Sequence, residues 1–172
     1  FNAERHVRET LDSIAGQTLR NLEVIVVDDG SSDASIAIVE EFAARDPRVR
    51  LVTGPAQGSA GAARNTGLRL ARGDYLAFLD ADLDLHPDHL ASFYRVLQAQ
   101  QADAVIGSKM HPDSKLDYPK SRRWISTCYY LVLKVLFGLS VHDTQTGVKL
   151  FRAEAIHAVM PYILVKRFAY DI

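Results

Sequence analysis

The chain has 172 residues, which is enough for one domain with a sizeable core and gives no sign of two. Hydrophobic residues make up 48% and charged residues 24%, a balance that excludes a disordered chain. The net charge of -1 excludes the basic excess of a general nucleic-acid binder, and a lone cysteine, Cys128, excludes a disulfide framework or a thiolate zinc site.

In chain order, residues 2–17 are predicted as an amphipathic helix with Val7, Leu11 and Ile14 on one side. In a βα series such a helix follows a strand, so a first strand is expected ahead of Phe1. The whole of 1–172 is read as one domain truncated at both ends. Residues 22–27 are β-branched and apolar and read as a buried strand. Ser31, Ser32 and Asp33 supply cap chemistry for a helix with Ile36, Val39 and Ala43 on one face. Residues 49–53 form the next predicted strand, 54–61 a loop, and a helix runs through Leu68 and Leu70. Residues 75–79 are a third strand, Pro87 opens a helix carrying Leu90, Phe93 and Leu97, and 104–107 are a fourth strand.

After Gly107 the character changes. Residues 109–123 are polar and basic, with Pro112 and Pro119 arguing for a loop, and 124–139 are nearly all apolar. As a helix the latter would be apolar around most of its circumference, suited to burial or to a membrane surface. Residues 109–139 are therefore expected to pair a basic loop with an apolar, membrane-facing segment, although no apolar stretch is long enough to span a bilayer.

The alternation of strand and helix predicts an α/β fold, Rossmann-like, with a mostly parallel central sheet and helices on both faces. Ligands in such sheets bind beyond the carboxyl ends of the strands. Three polar constellations fall there: Asp28-Asp29, Asp80-Ala81-Asp82, and Ser108-Lys109. Asp80, Asp82 and Asp84 stand at alternate positions just past an apolar strand, so an extended backbone turns all three carboxylates the same way. Three such oxygens suit a hard cation, Mg²⁺ or Mn²⁺, that also meets a diphosphate. The Asp28-Asp29-Gly30-Ser31 turn admits two readings on local grounds, a helix cap or a carboxylate facing a nucleobase or ribose. The Gly58-Ser59-Ala60-Gly61 loop lacks the spacing of a dinucleotide fingerprint.

Several segments in a fixed order carry a resemblance. They are Phe1-Asn2-Ala3-Glu4, Val26-Val27-Asp28-Asp29-Gly30-Ser31, Gly61-Ala62-Ala63-Arg64-Asn65-Thr66-Gly67, and Gly73-Asp74-Tyr75 leading to Phe78-Leu79-Asp80-Ala81-Asp82. Together they resemble the family 2 glycosyltransferases of the nucleotide-diphospho-sugar transferase (GT-A) fold. Gly107-Ser108-Lys109, Arg122-Arg123 with Ser126, residues 143–151 and residues 167–172 are similar to the polyprenyl-phosphate hexosyltransferases, including the dolichyl-phosphate glucose and mannose synthases.

The resemblance implies an inverting transfer of a hexose from a nucleotide-diphosphate sugar to a polyprenyl phosphate, at the cytoplasmic face of a membrane. It implies that Phe1, Ala3, Asp29, Arg64, Asp80, Ala81, Asp82, Thr144 and Gln145 meet the nucleotide sugar. Asp80, Asp82 and Asp84 would serve the metal, the last standing where the family often has glutamine. Lys109, Arg122, Arg123 and Ser126 would hold the acceptor phosphate, Lys109 standing where these enzymes often have arginine. Asp82 and Arg122 are the expected catalytic pair. Three alternatives stay open: transfer to a saccharide hydroxyl, an Asp-x-Asp phosphatase with Asp80 as nucleophile, and a non-catalytic nucleotide-sugar-binding domain.

Overall fold

A computed structural model describes residues 1–54, 58–80, 89–108 and 148–160. The acidic loop beyond Asp80, the Pro87 helix start and the whole of 109–139 lie outside the described residues. The described elements in chain order are α1 (Val7–Gly16), β1 (Val24–Asp28), α2 (Ser35–Arg45), β2 (Val49–Thr53), α3 (Ala60–Leu70), β3 (Tyr75–Phe78), α4 (Leu90–Gln100), β4 (Ala104–Ile106), β5 (Lys149–Arg152) and α5 (Ala153–Val159).

Among these residues the strands form two sheets. β1 and β2 pair in parallel, from Val24 opposite Val49 to Asp28 opposite Thr53. The other sheet has the order β3-β5-β4, with β5 antiparallel to both neighbours. The α/β class with a mostly parallel arrangement of the four predicted strands holds, and to it is added an antiparallel strand, β5, that was not predicted. β3 and β4 point the same way without touching, because β5 returns between them. The added strand has a physical origin: the pairing is made by a segment more than forty residues downstream, and Lys149-Leu150-Phe151-Arg152 carries no local mark of its direction.

Helices α1 and α2 cover the parallel pair. Val7, Leu11 and Ile14 are all buried, as their spacing of four and three predicts for one helical face. Val7 and Leu11 join Val39, Phe42 and Val49 in a core cluster. On α2 the buried face runs through Ser35, Val39 and Phe42, so Phe42 holds the central place expected of Ala43. α1 begins at Val7 rather than Asn2, because Asn2 takes a left-handed backbone (φ +49°) and residues 2–4 are bonded elsewhere. β1 is only half-buried from Val24 to Val27 despite its apolar sequence, a correction to the buried strand expected there.

Helix α3 spans both sheets. Gly67 lies over Val27 of β1, where an added methyl would meet Val27 Cγ2 at 3.6 Å. The next residue, Leu68, is buried with Leu76 of β3 and Ile156 of α5. This placement lets one helix reach the carboxyl ends of β1 and β3 together. The opposite face of the second sheet is covered by α4, whose Leu97 is wholly buried and whose Tyr94 meets Tyr75 edge-on at 5.1 Å.

Candidate active site

The turn after β1 is built by a buried carboxylate. Asp28 Oδ2 accepts the N–H groups of Gly30 and Ser31, each at 2.9 Å, and Oδ1 accepts the Ser31 hydroxyl. Gly30 adopts φ +83°, a backbone that glycine takes at no steric cost. Burial alone would raise the Asp28 carboxyl, but the Ser31 hydroxyl and the two N–H groups outweigh it and hold it below its usual range. Asp28 therefore closes the turn on itself and caps no helix, since α2 begins only at Ser35.

Asp29 points onward. Its Oδ2 accepts the N–H of Ser59 at 3.1 Å, and Ser59 is the N-cap of α3, its own side chain accepting from Ala62 N at 3.2 Å. One turn into the same helix, Arg64 Nη2 pairs with Asp80 Oδ1 at 2.9 Å. Asp80 follows β3 by two residues, and its side chain is 41% exposed against 23% for Arg64. Thus α3 is tied at its start to the end of β1 and at its middle to the end of β3. Asp29, Arg64 and Asp80, predicted from separate motifs, are brought to one helix. Ser108 follows β4, which runs in the direction of β3, so the third constellation starts from the corresponding strand end.

Phe1 and Ala3 stand at a small recess of about 80 Å³, shared with Asp28, Ser31 and Ser35 and floored by β1 and α2. Phe1 is 74% exposed. Ala81, Asp82, Asp84, Lys109, Arg122, Arg123, Ser126, Thr144 and Gln145 lie outside the described residues.

Two roles were not assigned from sequence. Asp28 organises the turn that presents Asp29, and Lys149, quoted only inside a longer motif, is almost wholly buried at 1% exposure. Lys149 stands opposite Phe78 and Ile106, the last residues of β3 and β4, at the rim where the ligand ends of those strands lie. A signal did exist for it: a lysine opening a short apolar run is unusual enough to mark.

The family model for glycosyl transferase family 2 matches residues 1–160. The chain belongs to that family. Its family 2 domain is 41% identical over 110 residues to glycosyltransferase GlyA of Streptococcus pneumoniae, covering 63% of this chain and 15% of that protein. It is 28% identical over 155 residues to the dolichyl-phosphate beta-glucosyltransferase ALG5C of Trichomonas vaginalis, covering 87% of this chain and 46% of the relative. Among solved structures it is similar to the mannosyltransferase PcManGT from Pyrobaculum calidifontis, in complex with GDP-Man and Mn²⁺. There the TM-score is 0.60 at 25% identity, over 89% of this chain and 42% of that one. The family 2 domain thus spans less than half the length of these proteins.

Proposed function

We propose that this domain transfers a hexose from a nucleotide-diphosphate sugar, UDP-glucose or GDP-mannose, to a polyprenyl phosphate lipid. The observation that carries the donor half is the convergence of Asp29, Arg64 and Asp80 on α3 at the ends of β1 and β3. Ligands of open α/β sheets bind at such strand ends. The GDP-Man bound to the similar PcManGT supports the donor class. The acceptor half is supported by the name of ALG5C and by the basic run 109–123 beside the apolar, aromatic-bearing 124–139. The phosphatase alternative draws no support from the family match.

Oxygen donors at Asp80, Asp82 and Asp84 suit Mg²⁺ or Mn²⁺. Among the described residues no three acidic or histidine groups gather around one point, so Asp80 alone can be tested for fit. Its carboxylate is partly open, with Arg64 engaging it through Oδ1, and this supports an oxygen donor there. When bound, the metal would neutralise charge on the departing diphosphate. The residues of the chain do the rest. An oxygen of the acceptor phosphate attacks the anomeric carbon as the bond from that carbon to the diphosphate oxygen breaks, which inverts the centre. The nucleotide diphosphate leaves with the bonding pair. Lys109, Arg122, Arg123 and Ser126 would seat the acceptor phosphate, and Thr144 and Gln145 would border the sugar.

The reaction belongs at a membrane surface, on the cytoplasmic side, with the protein peripheral or anchored by other segments. No described helix is long and apolar enough to cross a membrane. The test is acceptor choice in the full-length protein, with UDP-glucose and GDP-mannose each supplied. A short isoprenyl phosphate should be glycosylated and the matching isoprenol should not. Efficient transfer to the alcohol or to a free oligosaccharide would overturn the lipid-phosphate reading.

Asp29 allows a finer test, since it has a structural duty as well. Asp29→Asn keeps an oxygen for the Ser59 N–H, whereas Asp29→Ala removes it. Both should weaken nucleoside diphosphate in EDTA by about 10-fold, the scale of one charge-assisted contact. Only Asp29→Ala should also lower Tm. Unchanged affinity in both variants would leave Asp29 as a helix tie and nothing more.

A further inference from the structure

Residues 2–4 are laid against the start of α2 by five reciprocal hydrogen bonds. Asn2 N–H donates to Ser31 Oγ at 2.9 Å, and Ser32 N–H donates back to Asn2 Oδ1 at 2.9 Å. Ala3 N–H donates to Ser35 Oγ at 2.8 Å. Glu4 N–H donates to Asp33 Oδ2 at 3.1 Å, and Ala34 N–H donates to Glu4 Oε2 at 3.0 Å.

The arrangement answers a deficiency of α2. Its N-cap is Ala34, which has no side-chain oxygen, and its first turn holds no acidic residue. Asp33 Oδ1 accepts the N–H of Ser35, the first residue of α2, at 3.0 Å, and Glu4, from thirty residues upstream, adds an acceptor for the Ala34 N–H and a second negative charge at that helix N-terminus. Apolar burial cannot replace this clasp. Ala3 packs partly on the core, but Phe1 stays 74% exposed and Asn2 is exposed. Asn2 also holds φ +49°, a conformation that asparagine tolerates better than most residues. The clasp continues inward, because Ser31, which receives the Asn2 N–H, gives its own hydroxyl hydrogen to the buried Asp28. Asp28, Ser31, Ser35, Ala3 and Phe1 all line the same recess.

We propose that Asn2 is a positioning residue for the nucleotide donor. Its amide locks the Phe1–Ala3 wall to the turn that presents Asp29, so that the two sides of the nucleotide seat keep one spacing. The amide oxygen does this by accepting the Ser32 N–H, beside the backbone bond from Asn2 N–H to Ser31, and touches no reacting atom. The inference rests on the nucleotide-sugar reading of the site.

The experiment uses the full-length protein with UDP and GDP as probes in the presence of Mn²⁺. Asn2→Gly keeps the left-handed backbone accessible and removes only the amide. Asn2→Asp keeps the acceptor for the Ser32 N–H. We expect Asn2→Gly to raise the dissociation constant of the preferred nucleotide about 10-fold. The donor KM should rise with it while kcat at saturating donor stays near wild type. Asn2→Asp should restore most of the affinity, and Tm should differ little among the three proteins because Asn2 is exposed. Wild type binding neither nucleotide would sink the donor reading and the role of Asn2 together. A wild type that binds, with Asn2→Gly binding equally well, would overturn the positioning role alone. So would a loss that tracks Tm and is not restored by Asn2→Asp.

Discussion

Asp82→Asn should leave the protein folded and reduce sugar transfer by at least about 100-fold, the scale on which one preorganised electrostatic group acts. The expectation follows from the position of Asp80. That carboxylate already has a cation, Arg64, at 2.9 Å, so it can sit at the rim without a second positive charge. Asp82, the next alternate residue of the acidic motif, is the carboxylate we propose depends on the metal. Nucleotide affinity should therefore fall in Mn²⁺ and be unchanged in EDTA. Asp84→Gln should be milder, because an amide oxygen remains a ligand. Asp80→Asn should behave differently again, since it also removes the ion pair with Arg64 of α3. Wild-type affinity of Asp82→Asn in Mn²⁺ would remove Asp82 from the metal site.

Arg122→Ala should lower kcat/KM for a short isoprenyl phosphate by about 10-fold or more, with donor binding nearly unchanged. A sugar hydroxyl is a weak nucleophile at neutral pH and needs a positioned base. A phosphate monoester, with its second pKa near ~6, arrives already ionised and needs a positive seat instead. Losing one charge-assisted contact removes roughly 1.5–3 kcal/mol of transition-state stabilisation. The defect should appear only in the acceptor's kinetics. If Arg122→Ala instead weakens UDP-glucose or GDP-mannose binding, Arg122 belongs to the donor and the assignment of the basic run must be redrawn.

Much of the fold was readable because its signals are local and periodic. Val7, Leu11 and Ile14 mark a face, residues 49–53 mark a strand to the residue, and Leu90 and Leu97 are buried as their spacing predicts. β5 was not readable in this way. Its four residues acquire their direction only by closing between β3 and β4, which is a long-range event. The site divides along the same line. Asp29, Arg64 and Asp80 were identifiable from motifs, but the ties among them were not. Ser59 N–H to Asp29 spans thirty residues and Asn2 N–H to Ser31 spans twenty-nine, and no periodicity records a hydrogen bond between loops. Asp28 and Asp29 are also alike as letters. Only the turn separates them, one carboxylate folded back on its own N–H groups and the other reaching out to α3.

Helix α3 has a further consequence, because its two ties are a fixed count of residues apart. From the Ser59 cap to Arg64 is five residues, about 7.5 Å of helical rise. The helix is thus a ruler that holds the carboxylate beyond β1 and the carboxylate beyond β3 at a set interval. Between Ser59 and Arg64 a single inserted or deleted residue would turn the guanidinium about 100° around the axis and carry it off Asp80. Substitutions in that stretch alter chemistry, whereas a change in its length alters the gauge.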